Sequence, residues 1–150
     1  MSDLKVDKNE VPALLCLADG TTIDGWLFLS PFSPGHLGPQ TVEDLMDEAD
    51  QVLPCRTSGG KFLLVGKRNI AAVAVPASSG RPPGFWAVTQ VAVRLSGPHV
   101  LAGELLIEEG GGRRLSDALN GPHTWIPLET EEHLVWLAKD HLVTLEGREG

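Results

Sequence analysis

The chain repeats itself, and the repeat constrains its fold more than any other feature of the sequence. Residues 15–30, LCLADGTTIDGWLFLS, hold two alternating apolar runs joined at Asp19-Gly20, with a second glycine at Gly25. Leu15, Leu17, Ile23, Leu27 and Leu29 share one face at the two-residue period of a strand, and Asp-Gly supplies the positive-φ chemistry of a tight hairpin turn. Placing Gly25 on Gly103 sets Leu15 on Val93, Leu17 on Leu95, Ile23 on Leu101, Leu27 on Leu105 and Leu29 on Ile107 without a gap. Beyond a shorter glycine-rich loop, Val42 falls on Leu115, Asp44 on Asp117, Met46 on Leu119, Leu53 on Ile126, Pro54 on Pro127 and Thr57 on Thr130. One further residue is lost in a turn, after which Phe62 falls on Leu134, Leu64 on Trp136, Lys67 on Lys139, Asn69 on His141 and Ile70 on Leu142.

Self-similarity on this scale sets the meaning of every part. Each unit reads strand, strand, short helix, strand, strand, strand. The chain is therefore expected to be all-β with short helices, built as two pseudo-symmetric five-stranded small barrels from an internal duplication. The expected organisation is an N-terminal arm over residues 1–12, a first unit over 13–75, a linker over 76–90, a second unit over 91–146 and a tail over 147–150. Positions common to both units are almost all apolar or turn-forming, which are demands of folding, and no catalytic pair is duplicated. The Asp-Gly turn itself is not shared, since Gly97-Pro98-His99 stands in its place.

The rest of the chain fits this plan. Residues 41–49, TVEDLMDEA, give the clearest helix: Thr41 caps it, Asp44 sits at the capping-box position, and Val42, Leu45, Met46 and Ala49 form one apolar face. Its acidic residues, Glu43, Asp44, Asp47 and Glu48, match no calcium-loop spacing and read as a solvated face. Residues 30–40, SPFSPGHLGPQ, hold three prolines and two glycines and are a loop. A total of 17 glycines and 11 prolines is what many short strands and their turns require. Two units of ~60 residues, each burying only ~60% of its unfolded surface alone, gain by packing together. At least one of Trp125 and Trp136, aligned with Val52 and Leu64, is expected to be buried between the units, with Trp86 more exposed.

Charge and cysteine content narrow the function. A net charge of −8 repels phosphate backbones and acidic membranes at long range. Cys16 and Cys55 lie in apolar runs, where a free thiol behaves as a small hydrophobe; a disulfide between them is left open. No run approaches the ~20 apolar residues of a membrane span, and the first residues lack an export signal, so a cytoplasmic location and no membrane association are expected. Five single histidines and two separated cysteines form no zinc pattern. The glycine run at 110–112 lacks the lysine and hydroxyl of a phosphate loop. No cofactor, metal or catalytic residue is assigned.

Residues 14–29, LLCLADGTTIDGWLFL, resemble the first signature of Sm-like domains: an alternating strand, a short turn with Asp-Gly, then a glycine followed by an apolar residue. Residues 65–75, VGKRNIAAVAV, look like the second signature, in which a short turn links the last two strands and an asparagine precedes the final one. The resemblance implies a strongly bent five-stranded barrel of SH3-like kind, in which Gly25 and Gly103 relieve crowding where the second strand bends. Residues 114–128 also resemble a small β-domain of uncharacterised bacterial proteins, a likeness that supports the fold and a bacterial origin and carries no known activity.

The expected role is a non-catalytic adaptor or protein-binding module, with Phe32, His36, Leu37 and Trp86 as candidate partner-binding residues and strand edges as further contacts. The principal partner expected is another protein, with homo-oligomers also open to such a module. The alternative is a nucleic-acid-binding Sm-like protein using Lys67, Arg68, Asn69, Lys139 and His141. A small-molecule-binding or enzymatic protein stands third.

Overall fold

The opening hairpin forms where its turn chemistry places it. In the computed structural model, which describes residues 9–31, 38–108 and 115–147, β1 (Asn9–Leu17) pairs with β2 (Thr22–Leu29). Asp19 Oδ1 accepts hydrogen bonds from the Thr21 backbone N–H at 2.9 Å and from its hydroxyl at 2.7 Å, and Gly20 takes φ +97°. Helix α1 (Val42–Asp47) follows, closed by the capping box foreseen for it: the Asp44 N–H donates to Thr41 Oγ1 at 3.1 Å and the Thr41 N–H to Asp44 Oδ2 at 2.9 Å. Then come β3 (Val52–Thr57), β4 (Phe62–Gly66), a 3-10 turn over Lys67–Asn69 and β5 (Ile70–Pro76). The second half runs β6 (Trp86–Leu95), β7 (His99–Glu108), α2 (Leu115–Leu119), β8 (Trp125–Glu129), β9 (His133–Ala138), a 3-10 turn over Lys139–His141 and β10 (Leu142–Gly147).

These strands form one antiparallel sheet in the order β10-β6-β7-β8-β9-β5-β1-β2-β3-β4. Two small barrels packed together by apolar faces were the expectation; the described strands instead make a single continuous sheet, because β5 and β9 bond to each other, Val73 opposite Trp136 and Ala74 opposite Val135. Both strands are apolar on both faces, so each buries its whole surface only at the middle of a sheet. The order of the second five strands, 10-6-7-8-9, reproduces that of the first five, 5-1-2-3-4.

Two apolar clusters lie on opposite faces of this central pair. Ile70, Val73 and Val75 of β5 and Leu134, Trp136 and Ala138 of β9 join the cluster with Leu15, Leu27, Leu53 and the helix residues Leu45 and Met46. Ala72 and Ala74 of β5 and Val135 and Leu137 of β9 join the other, with Val91, Val93, Leu105 and Leu128. Each half thus inserts side chains into the core of the other. Trp125 and Trp136 are both buried in the first cluster although they stand on β8 and β9, which puts them between the halves as expected. Cys16 and Cys55 are free and belong to different clusters. Burial raises both thiols above their ordinary range.

Local geometry repeats as well. A Cβ on Gly25 would stand 2.0 Å from the Arg56 carbonyl oxygen, and one on Gly103 would stand 2.4 Å from that of Glu129. The Ala18 N–H donates to Asn69 O at 2.8 Å, and the Ser96 N–H to His141 O at 2.9 Å. Thr57 and Thr130 each turn the chain alike, their Oγ1 atoms accepting at 3.0 Å from the N–H groups of Lys61 and His133. The strands exceed the expected unit boundaries: β1 begins inside the expected arm, and β6 begins at Trp86, inside the expected linker.

Candidate functional site

The sheet ends in two open edges, β4 and β10, and these are unequal to the strands they correspond to. On β9, Leu134 is 5% and Trp136 3% exposed, because the apolar cluster of the first half, with Leu15, Leu27, Leu45 and Met46, packs over them; on β4, Phe62 and Leu64 occupy the corresponding positions and are 63% and 62% exposed. Phe62 has the Phe28 ring at 6.2 Å between centroids. β4, FLLVG, carries no charge and no proline. A sheet edge with unpaired backbone groups and exposed apolar side chains is a template for another strand, and proteins that do not use such an edge blunt it with lysine, proline or a bulge.

A groove is the second feature. It runs between α1 and the second half of the sheet as two pockets that share Glu43. One, of about 260 Å³, is walled by Val11, Val42, Val75 and Trp136, with residues 79–83 along one side. The other, of about 150 Å³, is walled by Trp86, Leu106, Trp125 and Pro127, with Glu108, Asp117 and His123 around it. Trp86 is half-buried, and its indole N–H donates to Pro82 O at 2.8 Å, fixing the ring against the segment before it. Gln40, buried beside the groove, accepts from the Ser30 N–H at 2.9 Å through its side-chain oxygen and donates through its own N–H to Ser30 O at 2.9 Å. That pair closes the stem of the loop over residues 30–40.

Of the partner-binding candidates, Trp86 lies in this groove, while Phe32, His36 and Leu37 lie outside the described residues. Strand edges were expected as contacts, but Phe62 and Leu64 of β4 were not named among them, and Glu43 was read as part of a solvated face. Exposed apolar Phe62 and Leu64, in a run that is apolar throughout, give no signal of being at an edge until the strand order is known.

The basic candidates are brought partly together and are mostly occupied. The Lys67 ammonium donates to Leu45 O at 2.8 Å and Glu48 O at 3.0 Å, completing the end of α1. The Lys139 ammonium does the same for Gly121 O at 2.6 Å, the position that corresponds to Glu48. His141 Nε2 meets the Arg68 carbonyl oxygen, so the two 3-10 turns touch. Arg68 is exposed, and Asn69 lines a shallow depression with Leu17, Ile23 and Leu63. Among the described residues no three His, Cys, Asp or Glu side chains converge as a metal site would require, and no helix is long and apolar enough to cross a membrane.

Compared with protein-family models, with curated proteins and with solved structures, the chain matches none of them.

Proposed function

We propose that this chain is a non-catalytic protein-binding module, made of two copies of a small-barrel unit of the Sm-like kind, that docks other chains by strand addition at its open sheet edges. Its first partner is a second copy of itself. The observation that carries this reading is the contrast between β4 and β9: the same positions hold large apolar side chains, buried at the β9–β5 junction and bare on β4. The junction joins strand four of one unit to strand five of the other, and it leaves strand four of the first unit, β4, and strand five of the second, β10, free at opposite edges.

Carrying the register of the internal junction across sets Thr144 of one copy opposite Val65 of the next, with Leu145 opposite Leu64, Glu146 opposite Leu63 and Gly147 opposite Phe62. Main-chain bonds supply affinity in such pairing and alternate side chains supply specificity. The contact is head-to-tail, so it closes into a ring or runs on as a filament according to the rotation between copies. Duplicated units are supported by the repeated strand order and by matching hydrogen bonds in the two halves, from the Ala18 N–H to Asn69 O and from the Ser96 N–H to His141 O, and at the turns of Thr57 and Thr130.

The nucleic-acid reading has less behind it, since the chain is strongly acidic and two of its five candidate residues spend their ammonium groups on backbone carbonyls. Light scattering of the full chain tests the edge reading. Wild type is expected at a multiple of the protomer mass, and Leu64→Lys, which puts a charge on the bare edge, is expected as a folded monomer. A wild type that stays monomeric at high micromolar concentration, or a Leu64→Lys variant that assembles unchanged, would overturn it.

A further inference from the structure

The smaller pocket of the groove has walls that suit one kind of chemical group. Trp86 of β6 and Trp125 of β8 both line it, Leu106 and Pro127 complete its apolar lining, and it holds about 150 Å³. A cavity of roughly that size takes a group as large as benzene; sites for drug-sized ligands begin near ~300 Å³. The Trp86 wall is set in advance. Its indole N–H donates to Pro82 O at 2.8 Å, and Gly84 lies beside the ring, where an added Cβ would stand 3.8 to 3.9 Å from three indole atoms. Trp125 is fixed by burial in the core, at 8% exposure. Carboxylates share the pocket with these rings. Half-buried Glu43 of α1, Glu108 and Asp117 line it, and among the described residues no lysine or arginine does. His123 Nε2, 3.6 Å from Glu108, is the basic group there. Burial, then the charge of Asp47, pushes the Glu43 carboxyl above its ordinary range, and a cation beside it would offset both. The larger pocket lacks this combination: Arg81 at its rim is held by both oxygens of Glu129 at 2.6 and 2.9 Å. The Trp136 Nε1–H has no acceptor among the described residues and is shut off from the surface, so it offers a ligand nothing.

We propose that the smaller pocket binds a trimethylammonium group, seated against Trp86 and Trp125 with its charge toward Glu43. Other occupants fit less well. An anion is repelled by the carboxylates. A neutral apolar group fills the space and leaves the charge of Glu43 unmet. A bare ammonium would exchange its hydration for walls of indole, leucine and proline that cannot take up all of its N–H donors. A methylated ammonium carries the same charge with no N–H to satisfy, and aromatic rings attract it, tryptophan most strongly. Free choline-like molecules and a trimethylated lysine of another protein both present this group. No wall of the pocket comes from β4 or β10, so the site does not depend on the open edges.

Isothermal titration calorimetry of the full chain with choline, and with its uncharged tert-butyl analogue, tests the site. The analogue keeps the shape and drops the charge. Choline is expected to bind one to one, and the analogue about tenfold more weakly or worse, because it forfeits the attraction of both rings and carboxylate. Trp86→Leu keeps an apolar wall without the ring, and Glu43→Gln leaves the core untouched; each should weaken choline about fivefold to tenfold. Trp26→Leu, on β2 beneath Arg56 and outside the pocket, should bind choline as wild type does. A short peptide carrying one trimethyllysine identifies the source: binding tighter than choline assigns the group to a modified protein, and equal or weaker binding assigns it to a free molecule. Absence of choline binding, equal binding of the analogue, unchanged choline affinity in folded Trp86→Leu or in Glu43→Gln, or loss of binding in folded Trp26→Leu would each overturn the proposal.

Discussion

Glu43 stands half-buried between α1 and the groove, where burial and the charge of Asp47 favour its protonated form and His123 opposes them. Asp47 is pushed the same way, by burial first. A carboxyl that titrates higher in the folded than in the unfolded chain holds more protons when folded, so stability falls as pH rises through the window between the two values. Ionised Glu43 is thus a group kept against the interest of the fold. Glu43→Gln is expected to raise the melting temperature at neutral pH, with the gain shrinking on acidification below the ordinary carboxylate range near ~4; thermal melts at both pH values check this, and a variant that melts no higher at neutral pH refutes it. Single residues differ widely in how far they could be read in advance. Gly25 and Gly103 were legible as points of crowding through the resemblance to Sm-like domains, which implies a glycine where the second strand bends. What crowds them, the carbonyls of Arg56 and Glu129, required the third strand to be placed. The missing acceptor of Trp136 had no counterpart in the sequence at all, since it depends on what every neighbouring element fails to present.

Lys67 and Lys139 show the same limit at the scale of elements. They were candidates for nucleic-acid contact in the Sm-like alternative; in place, the Lys67 ammonium holds two backbone carbonyls and that of Lys139 holds one, each at the end of the segment before the third strand of its half. Hydrogen bonds from a charged donor are worth about 1.5–3 kcal/mol, less where water competes. Lys67→Met should therefore destabilise the protein by about 1–2 kcal/mol in urea titration, while Arg68→Ala, on an exposed side chain, stays within about 0.5 kcal/mol. Equal effects of the two would refute the structural role. Helix α1 was legible to its cap because Thr41 and Asp44 are local signals. The extents of β1 and β6 were not, because their outer halves, from Asn9 and from Trp86, hold exposed and polar residues that break the alternation. Pro12 in β1 looked like a boundary, yet it pairs with Trp26 where β5 has not reached the strand, which runs beside it only from Leu14 to Leu17. A proline is tolerated where a strand has one neighbour.

For the whole molecule, the decisive contact is the one between β5 and β9, and its only trace in the sequence was composition. NIAAVAV and HLVWLA are apolar without alternation, as strands buried on both faces are. Alternation says which face of a strand is covered and nothing about which strand lies beside it, so five strands per unit were legible and their fusion into one sheet was not. That fusion predicts what a half does alone. Residues 1–78 would keep β1 to β5 but lose Leu134, Trp136 and Ala138 from their core and leave β5 with a bare edge and an uncovered face of Ala72 and Ala74. A chain of that size buries only ~60% of its unfolded surface in any case, which leaves little margin for such losses. The bare edge of β5 is also the natural acceptor for β4 of a second fragment, in the register that β9 occupies in the intact chain. The fragment should therefore be poorly folded when dilute and self-associate as its concentration rises, with sedimentation velocity and near-ultraviolet circular dichroism following both. A fragment that is a stable, well-packed monomer at every concentration would mean that each half folds without the junction, and that the apolar side chains on β4 have no need of a partner strand.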